Sequence, residues 1–436
     1  MFNICKKKTV MKKTFYVLFI FFSATLFGQE QLYICNTKSE GKFYVFLKKD
    51  TINQSFIAYT NPKLISNNLS FFKKILFKTL KKGKLKGAIF KINDGILRGD
   101  SLINKKLKAK IINNETFEGV FSYGGFKVEF TAKKVSSNYN SLKNYDQLYS
   151  NIKEILKKNI YNPEILKEKE WKQFLKGINS QKNKTKDDFD FFYSFLFQSK
   201  KLKTSHVYLL PKKESKFSSQ FKFYEKENAS ILKFNGFSLN DVDSINHSLS
   251  NIKTQNLIID LRDCGGGDFS SIILASHFIK EEKLVGYFLG NKYYNKTQKL
   301  PTKEELNQLK PFEGKTVTDL YNAIKNEGIV KAVAKPILPF YGGKIWVLTN
   351  KNTASACEPL VDFLKVNNLA TIIGEKTAGK MLSAKSFSID ENYELYLPIA
   401  NYYTAQNFWI EQNGVEPNIA VKSENALDKV SELISK

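Results

Sequence analysis

The sequence predicts an α/β fold, and three observations carry that prediction. Two short runs, Asn256-Leu257-Ile258-Ile259-Asp260 and Ile345-Trp346-Val347-Leu348, are apolar without alternation, as strands buried on both faces are. The second run leads through polar turn residues into an amphipathic segment, Ala356 to Lys365, with Leu360, Phe363 and Leu364 on one face. A further apolar run, Thr371-Ile372-Ile373, follows, giving strand, helix, strand. Gln31 to about Lys134 instead alternates apolar and polar residues in short runs, which predicts a separate antiparallel β domain ahead of the α/β core. With 436 residues the chain is long enough for two or three domains and a sizeable core.

Taken in order, the chain opens on the form of an export signal. Lys12 and Lys13 precede an apolar run, Phe15 to Phe27, that ends at Gly28-Gln29. The run is short for a bilayer-spanning helix, which is the alternative. The expectation is a signal peptide over 1–28 and an exported protein, periplasmic or secreted, with no integral membrane segment after its removal.

Residues 29–134 form the β-rich domain. Lys42 to Phe46 and Leu85 to Phe90 read as strands, and Phe117-Glu118-Gly119-Val120-Phe121 with Phe126 to Phe130 reads as a hairpin. Nothing in this stretch carries chemistry. Ser136 to Ser141 is a polar linker. The segment 135–204 has helical stripes: Leu148, Ile152, Ile155 and Leu156, then Trp171, Phe174, Leu175 and Ile178, then Phe191, Phe192, Phe195 and Leu196. Asp187 and Asp188 can cap the last of these helices. Aromatic stripes at this spacing are core.

The core occupies 205–436. Phe221 to Tyr224 and Ala229 to Phe234 read as strands, Asp241 to Ile252 and Ser270 to Lys280 as helices. Leu284 to Phe340, with four prolines and one helical piece near Val317 to Asn326, reads as a less regular excursion or one wall of a cleft. Strands near Ser386 to Ile389 and Tyr393 to Pro398, then a terminal helix from Ala426 to Ile434, close the chain.

The formal charge of +26 suggests an anionic partner. Against that, Arg98 and Arg262 are the only arginines, so bidentate base reading is poorly equipped, and the lysines are dispersed. No nucleic-acid partner is expected. Cys35, Cys264 and Cys357 remain after loss of Cys5 with the signal, an odd number without metal-ligand spacing. Cys264 and Cys357 flank predicted site elements, where a bond is conceivable, but replacement of other small residues is the simpler account.

Ser355 sits where a strand turns into a helix, near free N–H groups that stabilise negative charge. Such a serine can equally be an N-cap. Upstream, Asp260 runs into Leu261-Arg262-Asp263-Cys264-Gly265-Gly266-Gly267-Asp268. Consecutive glycines permit positive φ, and successive N–H groups can form an anion-binding nest. No Gly-Lys-Ser/Thr follows them, so this is not a P-loop. A nest beside a serine supplies what acyl transfer needs: a nucleophile and donors for an oxyanion.

IIDLRDCGGG, VLTNKNTASACE and IGEKTAGK, in that order, resemble the core of the C-terminal-processing and tricorn-type serine peptidases, over about residues 140–425. The resemblance implies a ClpP/crotonase-like peptidase core, with Ser355 as nucleophile. It implies an oxyanion hole from the amide of Gly266 or Gly267 and that of Ala356. The tricorn-type branch carries a Ser-His pair matched by Ser205-His206, with the histidine as general base, and an orienting glutamate matched by Glu411, or failing that Glu416. The stretch between His206 and Phe221 is too short for the PDZ domain of the processing branch. That branch places a lysine base at the position of Lys380, with a glutamine where this chain has Ala384.

The expected function is therefore an exported serine endopeptidase acting on proteins or peptides through an acyl-enzyme on Ser355, with His206 as base, aided by Ser205 and Glu411. A Ser355–Lys380 dyad is the alternative, as is a non-catalytic ligand-binding protein on the same fold. No metal or cofactor is implied, and oligomeric state is not legible.

Overall fold

A computed structural model describes residues 30–37, 41–60, 91–123, 126–136, 139–212, 220–226 and 228–435. The expected export segment and the Leu85–Phe90 strand lie outside the described residues. The chain divides into two compact units, one built from residues up to Ser150 with Lys176–Gln198, the other from Asn151–Leu175 with Ser199–Lys436.

In the first unit the antiparallel β domain is a closed barrel. Its strands are β1 Gln31–Thr37, β2 Lys42–Asp50, β3 Ser55–Tyr59, β4 Lys91–Arg98, β5 Ser101–Asn104, β6 Leu107–Ile111, β7 Thr116–Tyr123 and β8 Phe126–Val135. Each pairs with the next, and β8 closes antiparallel on β1, with Leu32 opposite Val135. The period-two pattern sends Tyr33, Phe43, Phe56, Phe117 and Phe121 inward, while Lys108, Lys110, Glu118 and Glu129 stay exposed. Closure leaves no unpaired edge. The helix Asp188–Ser199 starts as its acidic residues predict: Asp187 Oδ1 accepts from the Asp190 amide at 2.8 Å. The other Asp187 oxygen accepts from the Tyr44 amide of β2 at 2.8 Å.

In the second unit the α/β core is built on two sheets. The first has the order β10 Phe221–Lys226, β11 Ala229–Phe234, β12 Asn256–Asp260, β15 Lys344–Thr349, β16 Ala370–Gly374 and β19 Ile419–Ala420. From β11 onward neighbouring strands run parallel. One face of this sheet, with Leu257, Ile259, Ile345, Val347 and Ile372, packs with helices Val242–Ser250, Ser270–Ser276 and Cys357–Val366. The other face, with Ile258, Trp346, Leu348 and Ile373, takes Ala426 and Val430 of the terminal helix. Burial on both faces is why these strands read as unbroken apolar runs.

The second sheet has the order β14 Ile329–Ala334, β13 Lys283–Gly290, β18 Tyr393–Thr404 and β17 Leu382–Ser388, and β9 Tyr208–Pro211 also pairs with β18. Three expectations are corrected here. The irregular excursion from Leu284 contains the antiparallel pair β13–β14; Gly286 and Gly290 interrupt the first run, and the second, Ile329–Ala334, is apolar at all but Lys331, so neither alternates clearly in sequence. The strand expected to stop at Pro398 continues to Thr404, because a bulge opposite Ser383/Ala384 absorbs the proline. The helix expected over Ser270–Lys280 stops at Ser276. The helix Val317–Glu327 is bounded by a Thr316/Asp319 capping box and by Gly328 at φ 86°.

Candidate active site

The three sequence motifs converge because of topology. β12, β15 and β16 are adjacent parallel strands, so the segments that leave their carboxyl ends share one edge of the sheet, where ligands bind in open α/β sheets. The Leu261 amide donates to Leu348 O at 2.9 Å, and Ala354 N to Cys264 O at 3.0 Å, tying the glycine loop to the serine turn. Ala378 N donates to Thr353 O at 2.9 Å and ties in the third motif.

Ser355 lies immediately before the helix Cys357–Val366, with φ at 57°. This left-handed conformation costs a non-glycine residue about 1–3 kcal/mol. The helix N-cap is Ala356, with no side-chain capping bond. Capping therefore does not account for Ser355. Its amide donates to Lys380 O and to Glu358 Oε2, both at 3.1 Å.

Gly266 packs directly on the serine. A Cβ at Gly266, whose φ is 100°, would overlap Ser355 Cβ, and one at Gly267, at φ 145°, would overlap Phe237 O. Gly267 and Ala356, together with Ser355, line a small open cavity that is otherwise walled by Phe269, Ile272, Phe288, Pro359, Met381 and Tyr402, among others. Phe288 on β13 and Val317 make the corrected excursion one wall of this cavity. Cys264 and Cys357 are free and buried, and Cys357 Sγ donates to Cys264 O at 3.5 Å.

On the opposite strand system, His206 precedes β9 with φ at 61°. Its Nδ1 lies 2.6 Å from Ser205 Oγ, which donates to Glu411 Oε2 at 2.9 Å. The Ser205 amide donates to the other Glu411 oxygen at 2.9 Å. Because the Ser205 hydroxyl proton goes to the carboxylate, Nδ1 carries the proton of the neutral imidazole, and Nε2 is left as the acceptor. Burial, and after it the charge of Lys380, lowers the His206 pKa to about 4. Glu411 is fully buried, and burial pushes it up to about 7 against the bonds from Ser205 and the Met381 amide.

Ser205, His206 and Glu411 thus form one hydrogen-bonded unit. The His206 ring lies 5.9 Å from that of Tyr396, which lines the same cavity as Ser355. No hydrogen bond joins Ser355 Oγ to His206 among the described residues. Lys380 has an exposed side chain, and Ala384 is part of the cavity wall. Glu416 is outside the unit: its carboxylate pairs with Lys376 at 2.8 Å. Sequence reasoning missed Glu358, although Ser-x-x-Glu at a helix start is a capping-box signature that could have found it.

A serine in a strained turn, on a cavity it shares with Gly267 and Ala356, is an arrangement that suits acyl transfer. Residues 228–421 match the model of peptidase family S41, so this stretch is a domain of that family. The chain is 25% identical over 190 residues to carboxyl-terminal-processing peptidase 2, chloroplastic, of Arabidopsis thaliana, covering 43% of this chain and 30% of that protein. It is 38% identical over 76 residues to the carboxyl-terminal-processing protease of Synechocystis sp., covering 17% of this chain and 18% of that protein. The chain thus spans less than a third of the length of these curated relatives. Among solved structures, the tricorn protease aligns with a TM-score of 0.44 at 12% identity, over 90% of this chain and 53% of that one.

Proposed function

We propose that the protein is an exported endopeptidase that hydrolyses peptide bonds through an acyl-enzyme on Ser355. The observation that carries this reading is that a strained Ser355, which caps no helix, shares one cavity with Gly267 and Ala356. In the mechanism, Ser355 Oγ attacks the scissile carbonyl carbon while its proton passes to His206 Nε2. The oxyanion is held by the Gly267 and Ala356 N–H groups. Collapse breaks the C–N bond, and His206 returns the proton to the leaving amine. Water then repeats the sequence on the ester and frees Ser355. The Ser205–Glu411 pair fixes the imidazole and supports the positive charge it gains.

Closure of Ser355 onto His206 accompanies substrate binding in this reading, since catalytic hydrogen bonds are commonly long without substrate. Lys380, with its exposed side chain, tunes His206 by its charge and holds Ser355 through its carbonyl. The apolar cavity walls favour a substrate with an apolar side chain at the cleaved bond. The export run over 1–28 supports action outside the cytoplasm, and no described helix is long and apolar enough to cross a membrane.

The test is cleavage of casein by residues 29–436, with Ser355→Ala, His206→Ala and Lys380→Ala alongside. Loss with Ser355 and His206 but not with Lys380 supports the reading. Loss with Lys380 and not with His206 gives the base role to the lysine, and no cleavage by the folded parent sinks the peptidase reading for this substrate. Sequencing the N-terminus of protein recovered from the producing cells tests removal of the export run.

A further inference from the structure

We propose that Glu358 is a positioning residue that sets the nucleophile and the base relay to one another, resting on the roles of Ser355 and His206 given above. Glu358 is fully buried, and its carboxylate accepts four hydrogen bonds. One comes from the nucleophile's own amide, Ser355 N, at 3.1 Å. The other three come from a single short strap: Thr377 Oγ1 at 2.6 Å, Gly379 N at 2.7 Å and Lys380 N at 2.8 Å. The next amide of that strap, that of Met381, favours the charged form of Glu411. The strap is held further by Gln412 N, the residue after Glu411, donating to Gly379 O at 2.7 Å. Residues 377–381 therefore run between two buried carboxylates, one on the serine turn and one on the Ser205–His206 relay.

The local chemistry at Ser355 supports the same role. A full Ser-x-x-Glu capping box would commit the serine hydroxyl to the glutamate amide. Here only half is made: Ser355 N–H bonds the Glu358 carboxylate, and Glu358 N donates to Ser355 O at 2.8 Å rather than to Oγ. Glu358 secures the turn while the hydroxyl stays uncommitted. Two carboxylate oxygens offer about four acceptor sites, and all four are used. An amide in the same place accepts at one oxygen only and turns its NH₂ toward donors.

The experiment compares parent, Glu358→Gln, Thr377→Val, Thr377→Ser and Ser355→Ala in steady-state cleavage, labelling by a fluorophosphonate probe and thermal melting. Since misplacement of about 1 Å can cost 10²-fold in rate, Glu358→Gln is expected to lower kcat roughly 10²-fold with KM within about threefold, and labelling should slow in parallel. Thr377→Val, which removes one of the four donors, is expected to lower kcat about tenfold, and Thr377→Ser, which keeps the hydroxyl, to restore it. If Glu358→Gln does not fold, the two Thr377 variants decide alone. A folded Glu358→Gln with parent-like kcat, a loss expressed only in KM, or a Thr377→Val enzyme as fast as parent overturns the proposal. Ser355→Ala separates the two readings: if it stays active, the nucleophile assignment falls and this proposal with it. If it is inactive while Glu358→Gln is normal, only the Glu358 role falls.

Discussion

In the barrel, every second residue of a strand points inward, and the interior cluster is apolar throughout, from Tyr33 and Phe43 to Phe121 and Phe130. In the parallel sheet of the core, the central strands bury both faces, and buried polar groups gather where strands end: Asp260, Thr349, Asn350, Thr353, Glu358 and Thr377. Each such group is bonded, as at Thr353, whose hydroxyl donates to Leu261 O at 2.8 Å. Buried polar groups without partners are costly, so a fold keeps them only in satisfied networks. The barrel's interior is apolar packing, with buried polar groups such as Asp50 confined to its margins and tied to the Ile52 and Asn53 amides, while the core uses its buried polar groups to hold loops in strained shapes. The difference teaches where substitutions should cost stability and where they should cost rate.

Replacing Ser355, the proposed nucleophile, is the hardest test of that division. Ser355→Ala should lower turnover by on the order of 10³-fold or more, with a melting temperature close to parent, measured by casein cleavage and calorimetry. Gly266→Ala comes next. Its Cβ would overlap Ser355 Cβ and force φ from 100°, so a loss of about 10²-fold in kcat is expected. A Gly266→Ala enzyme with parent kcat would show that the loop does not set the serine.

The pH dependence gives a finer test. His206 must be neutral to accept a proton and Glu411 charged to hold the relay, so activity should rise with pH through about 4, rise again through about 7, and then level. The charge of Lys380 opposes protonation of His206. Lys380→Ala should therefore raise the His206 pKa and move the acid limb of kcat/KM to higher pH, while the plateau changes little. An unmoved limb would break the link between the two groups.

The smallest effect on rate should come from the barrel. Phe56 is fully buried there, and Phe56→Ala should destabilise by about 3–5 kcal/mol. The kcat of the folded fraction should stay within twofold of parent if the barrel's interior serves packing alone. A large change in kcat would erase the comparison.

Much of this was legible in the sequence because it is local. Unbroken apolar runs named β12, β15 and β16, and the alternation after Gln31 named an antiparallel β domain. The glycine loop and Ser355 stood out because positive φ and a strand-to-helix turn leave marks in residue type. Closure of the barrel, and the β13–β14 pair, were not legible, since pairing between distant strands is set by register rather than by any single run. The site divides in the same way. Resemblance pointed to Ser205, His206 and Glu411, but their hydrogen-bonded union spans 206 positions of sequence separation. The sequence left Gly266 and Gly267 equally open as oxyanion donors, and only the folded loop puts Gly267 on the wall of the cavity it shares with Ser355. Glu358 received its meaning only from the strap that folds onto it. Sequence alone determined which residues could do chemistry and which segments had to be buried, because side-chain chemistry and periodicity are properties of short stretches. Tertiary structure decided which of those residues meet, because hydrogen bonds and charges act over a few ångströms and only the folded chain sets those distances.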